Sequence, residues 1–199
     1  RGLLANEITY NALMSACEKG KQWQRAVALF DEMQQDGVKP SIITYNALMS
    51  ACEKGGQWKK ALELLDESQR RGLEPDVITY SVAILACAKV GQTEHALRLL
   101  DELRERGLEP TIVTYTAAIS ACEKRGQWKK ALELFNETHQ RGLAPNVITY
   151  NTLISACQKG KQWRKALELF DELRQRGLEP SIVTYNALIS ACEKCGRWK

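Results

Sequence analysis

Apolar residues recur along this chain at helical spacing, and the same arrangement returns many times. Near the start, Tyr10, Leu13, Met14 and Cys17 stand at i, i+3, i+4 and i+7, which is one face of a helix. Trp23, Ala26, Val27, Phe30 and Met33 trace a second such face. Gly and Pro fall between these pieces, where unusual or fixed backbone angles are needed. The pattern predicts a pair of helices joined by a short turn. Strong helix formers fill the second member ("KKALELL"), and Glu102–Arg106 and Glu172–Arg176 are i, i+4 pairs with the acid first, the more favourable order.

The pair repeats with a strict period of 35 residues. Thr-Tyr occurs at 9–10, 44–45, 79–80, 114–115, 149–150 and 184–185, and all six tyrosines of the chain follow a threonine. Complete units run 7–41, 42–76, 77–111, 112–146 and 147–181; residues 1–6 are the tail of a preceding unit, and 182–199 form a half unit with the first helix only. The tryptophans share one slot, at 23, 58, 128, 163 and 198, with Thr93 filling it in the third unit. One hairpin cannot bury both of its faces, so neighbours must stack. The expected fold is all-α, a right-handed superhelical solenoid of helix-turn-helix units, with first helices along one wall and second helices along the other.

Composition changes this picture little. The chain has 199 residues, 44% hydrophobic and 26% charged, with a net charge of +4. That balance tolerates a nucleic-acid partner without requiring one. No apolar run is long enough to span a membrane. The opening "RGLLAN" matches the end of a unit, so the chain starts mid-unit and carries no targeting segment within it. Six of the seven cysteines fall every 35 residues, each after an alanine. One fixed slot per unit predicts buried free thiols rather than bridges, as a reducing compartment would allow. Cys192 and Cys195 form C-x-x-C, but His95 and His139 are the only histidines and lie far away, so a zinc or redox site is not expected. No phosphate loop, Ser–His–Asp set or deaminase signature occurs, so an enzyme reading has no residues behind it, and nothing calls for a cofactor or a small-molecule substrate.

Opposite its apolar face, the first helix carries a second stripe: Ile8, Asn11, Ser15 and the pair Glu18–Lys19 in the first unit. The lysine recurs as Lys19, Lys54, Lys89, Lys124, Lys159 and Lys194. At a helix C-terminus it meets the negative end of the dipole, worth about 0.3–1 kcal/mol; a row of such cations would also suit the phosphates of a single strand. The residue after Tyr reads Asn11, Asn46, Ser81, Thr116, Asn151 and Asn186. The last residue of each unit reads Ser41, Asp76, Thr111, Asn146 and Ser181, all good helix N-caps. Capping explains the class of residue but not its changes, whereas "QWKK" and "ALEL" are copied almost verbatim. Amides, hydroxyls and carboxylates differ in donor and acceptor pattern, as a reader of base edges requires.

The frame "VITYNTLISACQKGKQWRKALELFDELRQRGLEP" (147–180) resembles a pentatricopeptide repeat of the plain 35-residue type, and the resemblance covers essentially the whole chain. It differs from a tetratricopeptide repeat, whose Trp stands in the first helix with a period of about 34 residues. The resemblance implies sequence-specific binding of single-stranded RNA, one nucleotide per unit, the 5′ end toward the protein's N-terminus. It implies that the residue after Tyr and the last residue of the same unit select the base. It also implies that Ile8, Ile43, Ile78, Val113, Ile148 and Val183 wedge between bases. Carried over, Asn11 with Ser41 resembles a cytosine reader, Asn46 with Asp76 a uracil reader, Thr116 with Asn146 an adenine reader and Asn151 with Ser181 a cytosine reader. Ser81 with Thr111 suggests a purine, and Asn186 has no partner. The implied site is 5′-C-U-(A/G)-A-C-3′. The resemblance further implies a mitochondrial or chloroplast protein acting in RNA stabilisation, processing or translation. A second reading stays open, a scaffold within a larger organellar assembly that contacts other proteins, which the irregular third unit (Ser81, Leu85, Ala88, Val90, Thr93) and the short array favour.

Overall fold

A computed structural model describes residues 5–193. Lys194, Cys195 and Trp198 lie outside the described residues. Eleven helices run in chain order among them. The first helices of the units are α1 (Glu7–Lys19), α3 (Ile42–Lys54), α5 (Val77–Lys89), α7 (Ile112–Lys124), α9 (Val147–Lys159) and α11 (Ile182–Glu193). The second helices are α2 (Trp23–Gln35), α4 (Trp58–Arg70), α6 (Thr93–Glu105), α8 (Trp128–Gln140) and α10 (Trp163–Gln175). No helix is long and apolar enough to cross a membrane among these residues.

Each helix starts and stops for local reasons. The last residue of a unit is extended and caps the helix that follows: Asn6, Asp76, Thr111 and Asn146 accept a hydrogen bond from the backbone N–H of the threonine three residues on. That threonine returns the bond, its hydroxyl accepting from the cap N–H at 3.2 Å for Ser41, Asp76 and Thr111. Threonine thus plays the part of Glu in a capping box. The helices end where a residue turns left-handed, as at Gly56 (φ 72°) and Gly72 (φ 73°), so that the next N–H closes back onto the helix, Gln57 to Cys52 and Leu73 to Ser68. Lys21 and Lys161 hold the same left-handed geometry without being glycine.

First helices pack on the first helices of neighbouring units, forming one continuous layer. Each second helix packs on the first helix of its own unit and of the next, while neighbouring second helices meet through longer side chains, as where Gln69 donates to Glu102 at 3.3 Å and Arg104 to Glu137 at 2.6 Å. The result is an α-solenoid of two layers. The core sits between them: Tyr45, Leu48, Met49, Cys52, Ala61 and Leu64 in the second unit are all at most 2% exposed, and their counterparts follow every 35 residues. Leu13 is 45% exposed, although its counterparts Leu48, Ala83, Ala118 and Leu153 are buried by the unit before them.

The frame tyrosine does more than fill space. Its hydroxyl donates to a carboxylate on the second helix of the same unit: Tyr80 to Glu102 at 2.6 Å, Tyr115 to Glu137 at 2.8 Å and Tyr150 to Glu172 at 2.9 Å. The same carboxylates take an arginine four residues on, at 3.2 Å for Glu102–Arg106 and 3.0 Å for Glu172–Arg176, the two pairs expected from the sequence. The cysteine column forms no bridge. Cys17, Cys52, Cys87, Cys122 and Cys157 are free and buried, and burial pushes the Cys52, Cys87, Cys122 and Cys157 thiols up to about 11.

The tryptophan slot faces the turn of the next unit. Trp23 lies against Gly55 and Trp128 against Gly160, so closely that a methyl group at either glycine would overlap the indole. The third unit departs from this in a matched way. Thr93 replaces Trp and Arg125 replaces the facing glycine; Thr93 donates to the Ala121 carbonyl at 2.7 Å and Arg125 Nε to the Gly91 carbonyl at 2.8 Å. Where Val90 takes the glycine's place, Trp58 meets His95 edge-on, with ring centroids 5.3 Å apart. Part of the irregularity in the third unit is therefore compensated packing.

Candidate nucleic-acid interface

The solvent-facing edge of the first-helix layer carries a row of exposed aliphatic side chains. Ile8, Ile43, Ile78, Val113, Ile148 and Val183 are 76, 63, 61, 60, 65 and 57% exposed. Single exposed aliphatics are ordinary, but one at the same place in every unit is a built feature. They stand at the second position of their helices, immediately before the capping threonine, which is buried in every described unit but the first, so the cap sets the direction from which each one projects.

Between successive aliphatics lie clefts floored by the variable polar residues. One, of about 290 Å³, is lined by Ile78, Val113, Ser81, Thr111, Val77, Val82 and Leu85. The next, of about 280 Å³, is lined by Val113, Ile148, Thr116, Asn146, Leu85, Ala117, Ser120 and Thr152. Val113 is a wall of both. Each cleft brings together the residue after Tyr and the last residue of the same unit, which are thirty positions apart in the chain.

Direct contacts join two of these pairs. The Asn46 amide donates to Asp76 Oδ1 at 3.4 Å, and the Asn151 amide to Ser181 Oγ at 3.2 Å. Asn11 and Ser41 meet through a third residue: Asn11 Nδ2 donates to Glu7 Oε1 at 3.4 Å and Ser41 Oγ donates to the same oxygen at 2.5 Å. Glu7 is a participant the sequence pattern does not reveal, because the other units have Ile or Val at its position. Asn151 Oδ1 also accepts from the Thr184 hydroxyl at 2.6 Å, and the hydroxyl residues make the same link to the following unit. Ser81 Oγ lies 2.7 Å from Thr114 Oγ1, and Thr116 Oγ1 lies 2.8 Å from Thr149 Oγ1, so each engages the capping threonine of the next unit. Asn186 is exposed on α11.

Asn11 and Asn46 keep capacity for a ligand. Oδ1 of Asn11 and of Asn46 is buried without a hydrogen-bond partner, an arrangement that costs about 1–3 kcal/mol unless something donates to it. Asp76 is poised as an anion. Burial by itself disfavours its charge, but hydrogen bonds from the Thr79 N–H, the Thr79 hydroxyl and the Asn46 amide outweigh this and hold its carboxyl below the usual range.

The glutamate and lysine at the end of the first helix do not form the simple exposed charge pair that the stripe suggests. Glu53 is 2% and Glu123 9% exposed, because both turn into the seam between units. Lys89 Nζ reaches back 2.5 Å to Glu53 and Lys159 Nζ 2.7 Å to Glu123, each spanning to the preceding unit. Glu123 also accepts from Ser155 Oγ at 2.8 Å. Lys54 stands 3.7 Å from Glu53 on its own helix. Lys19 and Lys124 have no ion pair among the described residues, and Ala88 stands where a glutamate would face Lys124. Among the described residues, no group of three or more His, Cys, Asp or Glu is placed to hold a metal ion.

Comparison with known proteins follows the same lines. A comparison with curated protein sequences gives no match. The PPR repeat family model matches residues 5–54, 40–89, 82–124, 110–159 and 145–194. Among solved structures, the maize pentatricopeptide repeat protein PPR10 superposes with a TM-score of 0.72 and 31% identity, over 98% of this chain and 28% of its own. PPR10 in complex with an 18-nt psaJ RNA element gives a TM-score of 0.72 and 30% identity, over 98% and 27%. The PPR domain of Arabidopsis thaliana protein-only RNase P 1, in complex with tRNA, has a TM-score of 0.77 at 18% identity over 95% and 100%, a likeness of fold alone. The chain spans little more than a quarter of PPR10's length. With matches from end to end of the described solenoid, this chain belongs to the pentatricopeptide repeat family.

Proposed function

We propose that this chain binds single-stranded RNA, one nucleotide per unit, without catalysis. The observation that carries the reading is the pair of adjoining clefts, each walled by two successive exposed aliphatics and floored by a unit's own polar pair. A flat base fits between two apolar walls, and its edge then meets the polar floor. Maize PPR10, of which the chain covers 28%, forms a complex with RNA, which agrees. The orphan carbonyl oxygens of Asn11 and Asn46 accept from an N–H on a base edge, such as cytosine N4 or uracil N3. The pairs then read 5′-C-U-(A/G)-A-C-3′ from Asn11/Ser41 to Asn151/Ser181. The setting is an organellar one, mitochondrion or chloroplast, in RNA stabilisation, processing or translation.

Five nucleotides at about 1–2 kcal/mol each give roughly 5–10 kcal/mol, modest for a specific complex. The test is a titration of RNA containing CUAAC, followed by the same RNA with its second base changed to G. Tighter binding of CUAAC is the expected result. Equal binding of both, or none of either at low salt, sinks the code and leaves the scaffold reading.

A further inference from the structure

The lysine row is not uniform. Lys89 and Lys159 are held by a buried carboxylate of the unit before, Glu53 and Glu123, at 2.5 and 2.7 Å. Lys89 Nζ also lies 3.4 Å from the Glu53 carbonyl oxygen. Lys124 has no such partner, because Ala88 occupies the glutamate's position, and it is exposed.

We propose that the residue preceding the lysine in one unit decides whether the lysine of the next unit is available to a phosphate. A glutamate that is buried there, as Glu53 and Glu123 are, masks it; an alanine leaves it free, and the half-buried Glu18 makes no ion pair with Lys54. The inference rests on the RNA reading above and specifies which repeats supply the electrostatic part of binding. A phosphate approaching Lys89 meets an ammonium whose charge is already balanced by an adjacent carboxylate. Pulling the lysine away would leave Glu53, 2% exposed, with Lys54 at 3.7 Å as its remaining ion partner. No such penalty applies at Lys124. Lys124, in the unit of the cleft walled by Val113 and Ile148, is therefore an unmasked phosphate contact, as is Lys19 in the first unit.

The experiment measures log K for CUAAC-containing RNA against log salt, for the wild-type chain and for Glu53→Gln, Glu123→Gln, Lys124→Ala and Lys89→Ala. Each neutralised phosphate contributes about 0.7 to the slope for a single strand. Glu53→Gln and Glu123→Gln should each steepen the slope by about 0.7. Lys124→Ala should flatten it by a similar amount, and Lys89→Ala should leave it unchanged. Thermal unfolding of each variant establishes that it is folded under the assay conditions, and the two Gln variants report on separate seams. Equal flattening by Lys89→Ala and Lys124→Ala, or no steepening in either Gln variant, overturns the masking while leaving RNA binding intact. Absence of any RNA binding by the wild-type chain at low salt overturns the RNA reading and this inference together.

Discussion

The Asn46 amide donates to the Asp76 carboxylate at 3.4 Å, across thirty residues of chain and the whole of a second helix. The contact exists because Asp76 caps α5, which packs directly on α3, the helix that carries Asn46. The hydrogen bond that starts one helix thus delivers a side chain to the variable polar position of the helix before it. Asn151 and Ser181 repeat the arrangement at 3.2 Å.

Asn46→Thr removes the amide from this pair and puts a hydroxyl in its place. Preference at the second nucleotide should move from uracil toward guanine, with the other positions unaffected. Binding measured against the four RNAs that differ only at that base checks it. A change spread over several positions would mean that the residue acts through the shape of the groove.

Asp76→Asn should lower stability by about 1 kcal/mol at neutral pH, since the charge-assisted cap bonds are weakened. The sign of the pH dependence follows from the depressed carboxyl. A group whose pKa is lower in the folded state stabilises above its unfolded value of about 3.9, and that contribution disappears as pH falls through the folded value. The difference in urea midpoint between wild type and Asp76→Asn should therefore be full at pH 6–7 and shrink below about pH 4. A gap that persists at pH 3 would show that the carboxylate is not its source.

Val113→Ala tests the wedges. The side chain is 60% exposed in the free protein, so its truncation should change stability by less than about 0.5 kcal/mol. In the complex it walls two clefts, and losing two buried methyl groups should cost about 1–1.5 kcal/mol of binding, roughly a tenfold rise in Kd. Discrimination at the third and fourth nucleotides should weaken together. Fluorescence anisotropy on RNAs altered at each position gives the answer.

Gly160→Ala tests the unit seam. A Cβ there would lie 2.2 Å from Trp128 Cδ1, so the indole must move, at about 1–3 kcal/mol. Gly20→Ala is the control at the same place in the first unit, where the nearest atom is 3.5 Å away and φ is −81°, and it should be near neutral. Urea unfolding of both variants makes the comparison, and restoration of Gly160→Ala by Trp128→Ala would identify the clash as the cause.

Much of this molecule is legible from its sequence because a repeat states its rule many times. The period of 35, the helix faces, the turn glycines and the buried cysteine column all follow from local pattern and from the need of each hairpin to cover its neighbour. The aliphatic row and the polar pairs could be named for the same reason, since they vary or stay exposed where everything around them is frame. What required the fold was every relationship between units. Nothing in the local sequence says that Glu53 turns inward to take Lys89, that Arg125 fits because Thr93 is small, or that Glu7 joins Asn11 to Ser41. Those partners are fixed by the stacking of one hairpin on the next, which places side chains about a repeat apart within hydrogen-bond reach. Periodicity determined the helices and their burial; only the packing between units decided which polar groups are already satisfied and which are left for a ligand.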